Sequence, residues 1–442
     1  MNTLASETVR NLKVLQMLQA LPLRVKIEKT KLRIREWVER YGEDGVYVSF
    51  SGGKDSTVLL HIARQMYPNL KAVFVDTGLE YPEIRTFVKT FDNVEWLKPK
   101  MNFRQVIEKY GYPFISKEVS ECVDGARKYM KSLTDRQTDR QTDRQTVPYN
   151  AFMADLLGVD RRVDKDNPNY QAIKMGNIPK ETARYKMLNG TYPHRSKGVE
   201  SEENSNMYDR SRYKFFLNAP FNISSMCCKV MKKQPVHSYA KQTGRKPMTA
   251  QMADESKLRT TQWIKNGCNG FDMKSPISNP MSFWTEQDVL LYIKMNNIEI
   301  ASVYGEVVKD YKAMGQIEGQ LSFADLEMSS TQEIFELGKV ILKTTGCDRT
   351  GCAFCGYGCH LEKPEKSRWK IAKEFSNPQI IDFCMRGGAF DEDGLWKPDN
   401  RGLGYWFVMK WINVHGNMNL YIPDYEYYEE KYSTEQTREM LK

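Results

Sequence analysis

Val46-Tyr47-Val48-Ser49-Phe50-Ser51-Gly52-Gly53-Lys54-Asp55-Ser56 joins a strand pattern to a glycine-containing loop and sets the fold class. Its first five residues are β-branched or aromatic for the most part, which predicts a short strand. Two glycines then allow positive φ and a close backbone approach to a ligand. Thr57 to Tyr67 reads as a helix stopped near Pro68. Working outward, Lys71 to Val75 is a second strand that ends at Asp76-Thr77-Gly78. Pro82 to Phe91 is a second helix, and Val94 to Leu97 a third strand. Strand, helix and strand at this spacing predict βαβ units and a parallel sheet, hence the α/β class.

The loop between strand and helix carries chemistry. A helix N-terminus presents unpaired N–H groups and the positive end of its dipole, which favours phosphate. Ser51 and Ser56 add hydroxyl donors and Lys54 adds charge. Asp55 is suited to capping the helix or holding magnesium. The spacing is not the G-x-x-x-x-G-K-[ST] pattern of P-loop proteins.

The remaining chain is uneven. Residues 1–43 read as a helical segment, with Ile27, Ile34, Trp37, Val38 and Tyr41 at helical spacing and Gly42 placed to end it. This segment is a packing element, with a homodimer contact as a further reading. Residues 44–300 read as one α/β domain that carries the Ser51–Ser56 loop, interrupted by a polar insertion at about 120–213. Within it, residues 134–146 read TDRQTDRQTDRQT, a repeat with no apolar residue and therefore no core-facing stripe. Lys246 to Met252 reads as a strand, and Thr285 to Met295 as a helix capped by Thr285. Residues 301–442 are a Cys-rich C-terminal region.

Composition narrows the class. The 442 residues hold 65 Lys+Arg against 56 Asp+Glu, a formal charge of +9, with 40% apolar residues and a mean hydropathy of −0.61. No apolar run approaches the ~18–20 residues of a membrane span. The opening MNTLASETVRNLKVLQMLQA has no unbroken apolar core of a signal peptide. The expected location is the cytoplasm, without a membrane partner. Nine Cys in that compartment point to metal, redox or packing roles rather than disulfides.

Ser51-Gly52-Gly53-Lys54-Asp55-Ser56 after a strand resembles the signature of the PP-loop ATP pyrophosphatase superfamily, also called adenine nucleotide α-hydrolase-like. Further stretches resemble the phosphoadenosine phosphosulfate (PAPS) reductase family within it. They are Asp76-Thr77-Gly78-Leu79-Glu80-Tyr81-Pro82-Glu83, then Asp254-Glu255-Ser256 with Arg259, then Pro280-Met281-Ser282-Phe283-Trp284-Thr285 followed by Asp288-Val289. The resemblance implies a doubly wound parallel sheet with ATP or a related adenine nucleotide, and magnesium, at the carboxyl ends of its strands. It implies Ser51, Gly52, Gly53, Lys54, Asp55, Ser56, Asp76, Thr77 and Gly78 as nucleotide-binding positions. Lys54, Asp55 and Arg259 are the candidate catalytic residues.

Cysteines supply the second constellation. Cys347, Cys352, Cys355 and Cys359 fall within thirteen residues, among glycines that let the backbone fold tightly. Thiolates at such spacing suit zinc or an iron–sulfur cluster. Cys227-Cys228 is similar to the paired-Cys element of assimilatory adenylyl-sulfate reductases, in which that pair and a later C-x-x-C hold a [4Fe–4S] cluster. The resemblance implies Cys228, Cys352 and Cys355 as ligands, with one or more of Cys227, Cys347 and Cys359. A [4Fe–4S] cluster is the expected metal group and zinc the alternative. Four C-terminal Cys closing a site alone would resemble PP-loop proteins of DNA phosphorothioation systems. Adjacent Cys side chains diverge in a strand, so the pair requires a turn or helix end. Cys122, Cys268 and Cys384 read as packing residues.

Two departures bear on activity. Sulfonucleotide reductases of the family carry a nucleophilic Cys in a C-terminal segment, whereas no Cys follows Cys384 here. Met252 stands where an arginine of the E-S element is expected, which removes one contact to an anion. The leading expectation is therefore an ATP-using transferase that adenylates its substrate or transfers sulfur to it. The substrate would be a small molecule or a nucleic acid, DNA or tRNA, and the partner a thioredoxin-like or sulfur-donor protein. The first alternative is a sulfonucleotide reductase with its nucleophile moved to Cys384 or Cys359. The second is a non-catalytic binding subunit that uses the basic and aromatic stretch Lys363 to Lys370.

Overall fold

The structure is a computed structural model that describes residues 2–138, 165, 181–192, 208–310, 340–353, 355–375 and 378–442. The chain forms two compact units: Met1–Asn102 with Val230–Ala353, and Phe103–Lys229 with Phe354–Lys442.

The first unit holds the sheet. Helices α1 (Asn2–Gln19) and α2 (Leu23–Tyr41) replace the single N-terminal helix expected from the spacing, because Pro22 ends one turn and caps the next. The following elements are β1 (Val46–Ser49), α3 (Lys54–Met66), β2 (Ala72–Val75), α4 (Pro82–Val88) and β3 (Val94–Leu97). After the return of the chain come α5 (Gln234–Thr243), β4 (Lys246–Met248), α6 (Lys257–Asn266), β5 (Asn269–Gly270), β6 (Ile277–Ser278) and α7 (Glu286–Met295).

The strands lie in the order β3-β2-β1-β4-β6-β5. Every pairing is parallel except β5 with β6. This is the α/β, mostly parallel, doubly wound arrangement. The chain runs outward from β1 through β2 to β3, then returns to pair β4 on the other side of β1. That reversal makes the carboxyl end of β1 a topological switch point, where open sheets form a ligand crevice.

Burial on both sheet faces explains the continuous apolar strands: Val46, Tyr47, Val48, Ala72, Val73 and Phe74 are all at most 1% exposed. Helix α2 packs by Ile34, Trp37 and Val38, and its Lys26 is buried. Lys26 Nζ donates to Asp288 Oδ2 at 2.6 Å, with both side chains 3% exposed. Asp288 also closes the capping box of α7, accepting from the Thr285 N–H and hydroxyl at 2.7 and 2.9 Å. Breaking such a buried pair costs about 3–5 kcal/mol, because one charge is left desolvated.

The second unit is largely helical. Its long helix Lys117–Thr138 takes in the first five residues of the TDRQ repeat. The rest of that repeat, and most of the polar insertion expected around it, lies outside the described residues. The apolar helix Tyr405–Gly416 is the core, with Tyr405 to Met409, Trp411 and Ile412 buried. A short parallel pair joins Phe114–Ile115 to Gly356–Tyr357. Trp369 is fully buried against Tyr405, so the aromatic residue of the Lys363–Lys370 stretch faces the core rather than a nucleic acid. Among the described residues no helix is long and apolar enough to cross a membrane.

Candidate functional site

In the first unit the quoted loop lies where the sheet topology places a ligand. Helix α3 begins at Lys54, three residues earlier than its apolar spacing suggests, so Lys54, Asp55 and Ser56 form its first turn. Gly53 is its N-cap. Gly52 has φ +70°, and a Cβ there would meet Val88 Cγ2 at 2.7 Å and Ile84 Cγ2 at 2.8 Å. The loop is therefore pressed against α4, and only glycine meets both demands.

Hydroxyls hold the loop open. Ser51 Oγ and Ser56 Oγ are 3.0 Å apart, and the Gly53 N–H donates to Ser51 Oγ at 3.3 Å. Ser56 Oγ and Thr57 Oγ1 both donate to the Gly53 carbonyl, at 2.9 and 3.0 Å. The Lys54 N–H donates to the Tyr304 hydroxyl at 3.3 Å, and that hydroxyl bonds Thr350 Oγ1. The Lys54 ammonium is buried between Glu286 Oε1 at 2.8 Å and the Asp348 carbonyl at 2.6 Å. Its charge is thus already matched, which the sequence did not reveal.

Asp55 differs from its neighbours. Its Oδ1 is buried and has no hydrogen-bond partner among the described residues. Burial is the main influence raising its carboxyl pKa. Glu286 adds to the rise, while Lys54, Arg349 and Arg259 oppose it. Arg259 pairs with Glu255, and its guanidinium pKa is lowered by burial first and by Arg349 second. Two guanidinium groups therefore converge on the neighbourhood of one buried carboxylate.

Beyond β2, Asp76 is 8% exposed and held by Arg85, whose Nη2 donates to Oδ2 at 2.9 Å. Its Oδ1 accepts the Gly78 N–H at 3.2 Å, and Gly78 has φ +73°. Thr77 donates its N–H and hydroxyl to Glu80, at 3.1 and 2.7 Å. The Cys347–Ala353 stretch runs beside this turn: the Ala353 N–H donates to the Leu79 carbonyl at 2.8 Å. Burial raises the Cys347 thiol pKa, helped by Asp348 and Glu83. Tyr304, Glu286, Asp348, Arg349 and Thr350 are the neighbours that sequence reasoning missed. The signal for the last three was their position between Cys347 and Cys352.

A cavity of about 1070 Å³ opens from this loop along the sheet, with Ser51, Thr249, Met252, Arg259, Asn279 and Thr350 in its walls. Met252 is buried at the position where the expected arginine is missing.

The cysteines divide between the units. Cys347 and Cys352 belong to the first; Cys227, Cys228, Cys355 and Cys359 belong to the second. All nine are outside disulfides. Cys227 and Cys228 lie on the helical turn Met226–Cys228, which continues as a π-helix over Lys229–Lys233. This supplies the turn that an adjacent pair requires. In the second unit, burial and then the charges of Cys228, Cys227 and Cys355 raise the Tyr357 phenol pKa. Burial pushes the Cys359 thiol up to about 12, and this thiol donates to the Gly356 carbonyl at 2.9 Å. Arg368 sits between these parts, donating to the Cys355 carbonyl at 2.9 Å. Among the described residues no three His, Cys, Asp or Glu side chains are gathered closely enough to hold a metal ion. The thiols share a neighbourhood without converging on one point.

Cys384 is fully buried, and burial raises its thiol pKa well above the ordinary value. A buried, protonated thiol is a poor nucleophile, which weighs against Cys384 and Cys359 in that role. Cys122 is buried as a packing residue would be. Cys268 is only half-buried and takes a bond from the Ser282 hydroxyl at 3.3 Å, so it is not a simple apolar filler.

The model of the phosphoadenosine phosphosulfate reductase domain matches residues 45–142 and 172–356. The chain is also 38% identical over 99 residues to the uncharacterized protein MJ0973 of Methanocaldococcus jannaschii. That match covers 20% of this chain and 23% of the relative, so it spans less than a quarter of the curated protein.

Proposed function

Because the chain belongs to the phosphoadenosine phosphosulfate reductase family, a PP-loop family of nucleotide-binding enzymes, we propose that it binds ATP·Mg at the Ser51–Ser56 loop and adenylates its substrate. The observation that carries this reading is the loop itself. A strand ends at a switch point, Gly52 brings the backbone close, and α3 directs its N-terminus at the crevice.

Asp55 fits a magnesium ion, since its buried, unpartnered Oδ1 is satisfied by a cation. Held by Asp55, magnesium would supply positive charge to neutralise that of the phosphates. The N–H groups at the start of α3 and the Ser51 hydroxyl would hold the phosphates, while Ser56, whose hydroxyl donates to the Gly53 carbonyl, braces the loop. Arg259 and Arg349 would stabilise charge that develops on the pyrophosphate as it leaves. An oxygen of the substrate would attack the α-phosphorus, the α–β bridge would break, and pyrophosphate would carry away the electron pair. ATP–pyrophosphate exchange tests this reading. Magnesium-dependent exchange that Asp55→Ala abolishes supports it; exchange that is absent with every substrate class, or unchanged in the variant, overturns it.

The proposal includes a [4Fe–4S] cluster on Cys227, Cys228, Cys355 and Cys359, with zinc as the alternative. Four thiols within one unit, two on a helical turn and two flanking Tyr357, support it in donor type. Their present spacing does not fit a bound metal ion. Binding would need those side chains to draw together.

A further inference from the structure

The cavity beside the loop is larger and more basic than a nucleoside triphosphate requires. Besides Arg259, its walls carry Lys232, Lys233, Lys241, Arg245, Lys246 and Lys274. Glu80 is the one carboxylate among the described lining residues. Among the described residues Arg245 has one ion pair, a long one at 3.8 Å to the exposed Asp44.

These cations are spread along the sheet rather than gathered at the loop. Lys246 pairs in register with Val46, at the amino end of β1. Ser51 lies five residues further on, roughly 16 Å at about 3.3 Å per residue. The phosphates of a nucleotide held at the loop would sit at one end of this length.

The same cavity also has an aromatic side chain in its wall. Trp263, on α6, is half-buried and is one of the lining residues. A wall with seven cations and one carboxylate suits a negatively charged occupant.

We propose that the basic length of this cavity binds a single-stranded nucleic-acid segment, the substrate on which the nucleotide site acts. A polynucleotide repeats its negative charge along its length, as the cations do, and Trp263 offers a ring beside them for a base. The inference rests on the nucleotide site proposed above for its chemical outcome, but the binding is separable from it.

Fluorescence anisotropy with 12-nucleotide single-stranded DNA and RNA, over a range of salt, tests the binding. A parallel titration with ATP·Mg keeps the two proposals apart. The wild-type chain is expected to bind one of the oligonucleotides. Lys241→Glu with Lys274→Glu, two exposed positions, is expected to weaken that binding about tenfold or more and leave ATP affinity unchanged. It should also flatten the salt slope by about 1.4, two phosphate contacts at about 0.7 each. A chain that binds ATP but neither oligonucleotide overturns the inference, as does a double variant that binds them as wild type does. Adenosine 3′,5′-bisphosphate binding at these lysines without any oligonucleotide binding also overturns it, in favour of a small phosphorylated substrate. If ATP alone fails to bind, the nucleotide reading falls instead.

Discussion

At the residue scale, Gly52 and Asp55 do the most to define the site. Gly52 combines a left-handed backbone with a space too small for a methyl group. Alanine there costs about 1–2 kcal/mol for the backbone alone, and the contacts with Val88 and Ile84 add to that. The Gly52→Ala variant is expected to show a lower thermal midpoint and a loss of nucleotide affinity larger than its loss of stability. Thermal unfolding with and without ATP measures both. A variant as stable as wild type and equally stabilised by ATP would contradict the account. Asp55 shows what a sequence leaves unsaid: the motif named the residue, but only the fold shows one oxygen buried and unpaired.

At the scale of elements, local pattern was a good guide wherever it carried the information. Val94–Leu97 and the Thr285 cap of α7 stand as their sequence suggests, because strand preference and capping chemistry act over a few residues. The start of α3 was misplaced because its first turn is polar: Lys54, Asp55 and Ser56 serve the loop and offer no apolar periodicity. The strand expected to reach Met252 stops at Met248, since the chain leaves the sheet there to line the cavity. Tyr304 and Thr350 were not legible, because they meet the loop from some 250 and 300 residues away. No pattern within a short window encodes such a contact. The basic character of the cavity was not legible either, because its lysines come from separate elements that only the fold gathers into one wall.

At the scale of the whole molecule, the six-stranded sheet lies wholly in the first of two units, each of which the chain enters twice, while the cysteines are distributed over both. The Cys347–Cys359 run looks like one motif, yet its first two cysteines pack with the phosphate-loop unit and its last two with the helical unit. Anaerobic purification with iron, sulfide and zinc analysis therefore has a specific expectation. Cys355→Ala and Cys228→Ala should each lose the metal, while Cys347→Ala should retain it. Loss in Cys347→Ala with retention in Cys228→Ala would contradict that ligand set. A stable wild-type chain free of iron and zinc would contradict the metal proposal as a whole.

The central claim is that the Ser51–Ser56 loop holds an adenine nucleotide with magnesium on Asp55. Calorimetric titration with ATP, in magnesium and in its absence, tests that claim most directly. The account predicts saturable binding to the wild-type chain that is strengthened by magnesium, and an Asp55→Ala variant whose affinity no longer responds to the ion. No binding by a folded wild-type chain, or a magnesium response that survives in Asp55→Ala, would contradict it.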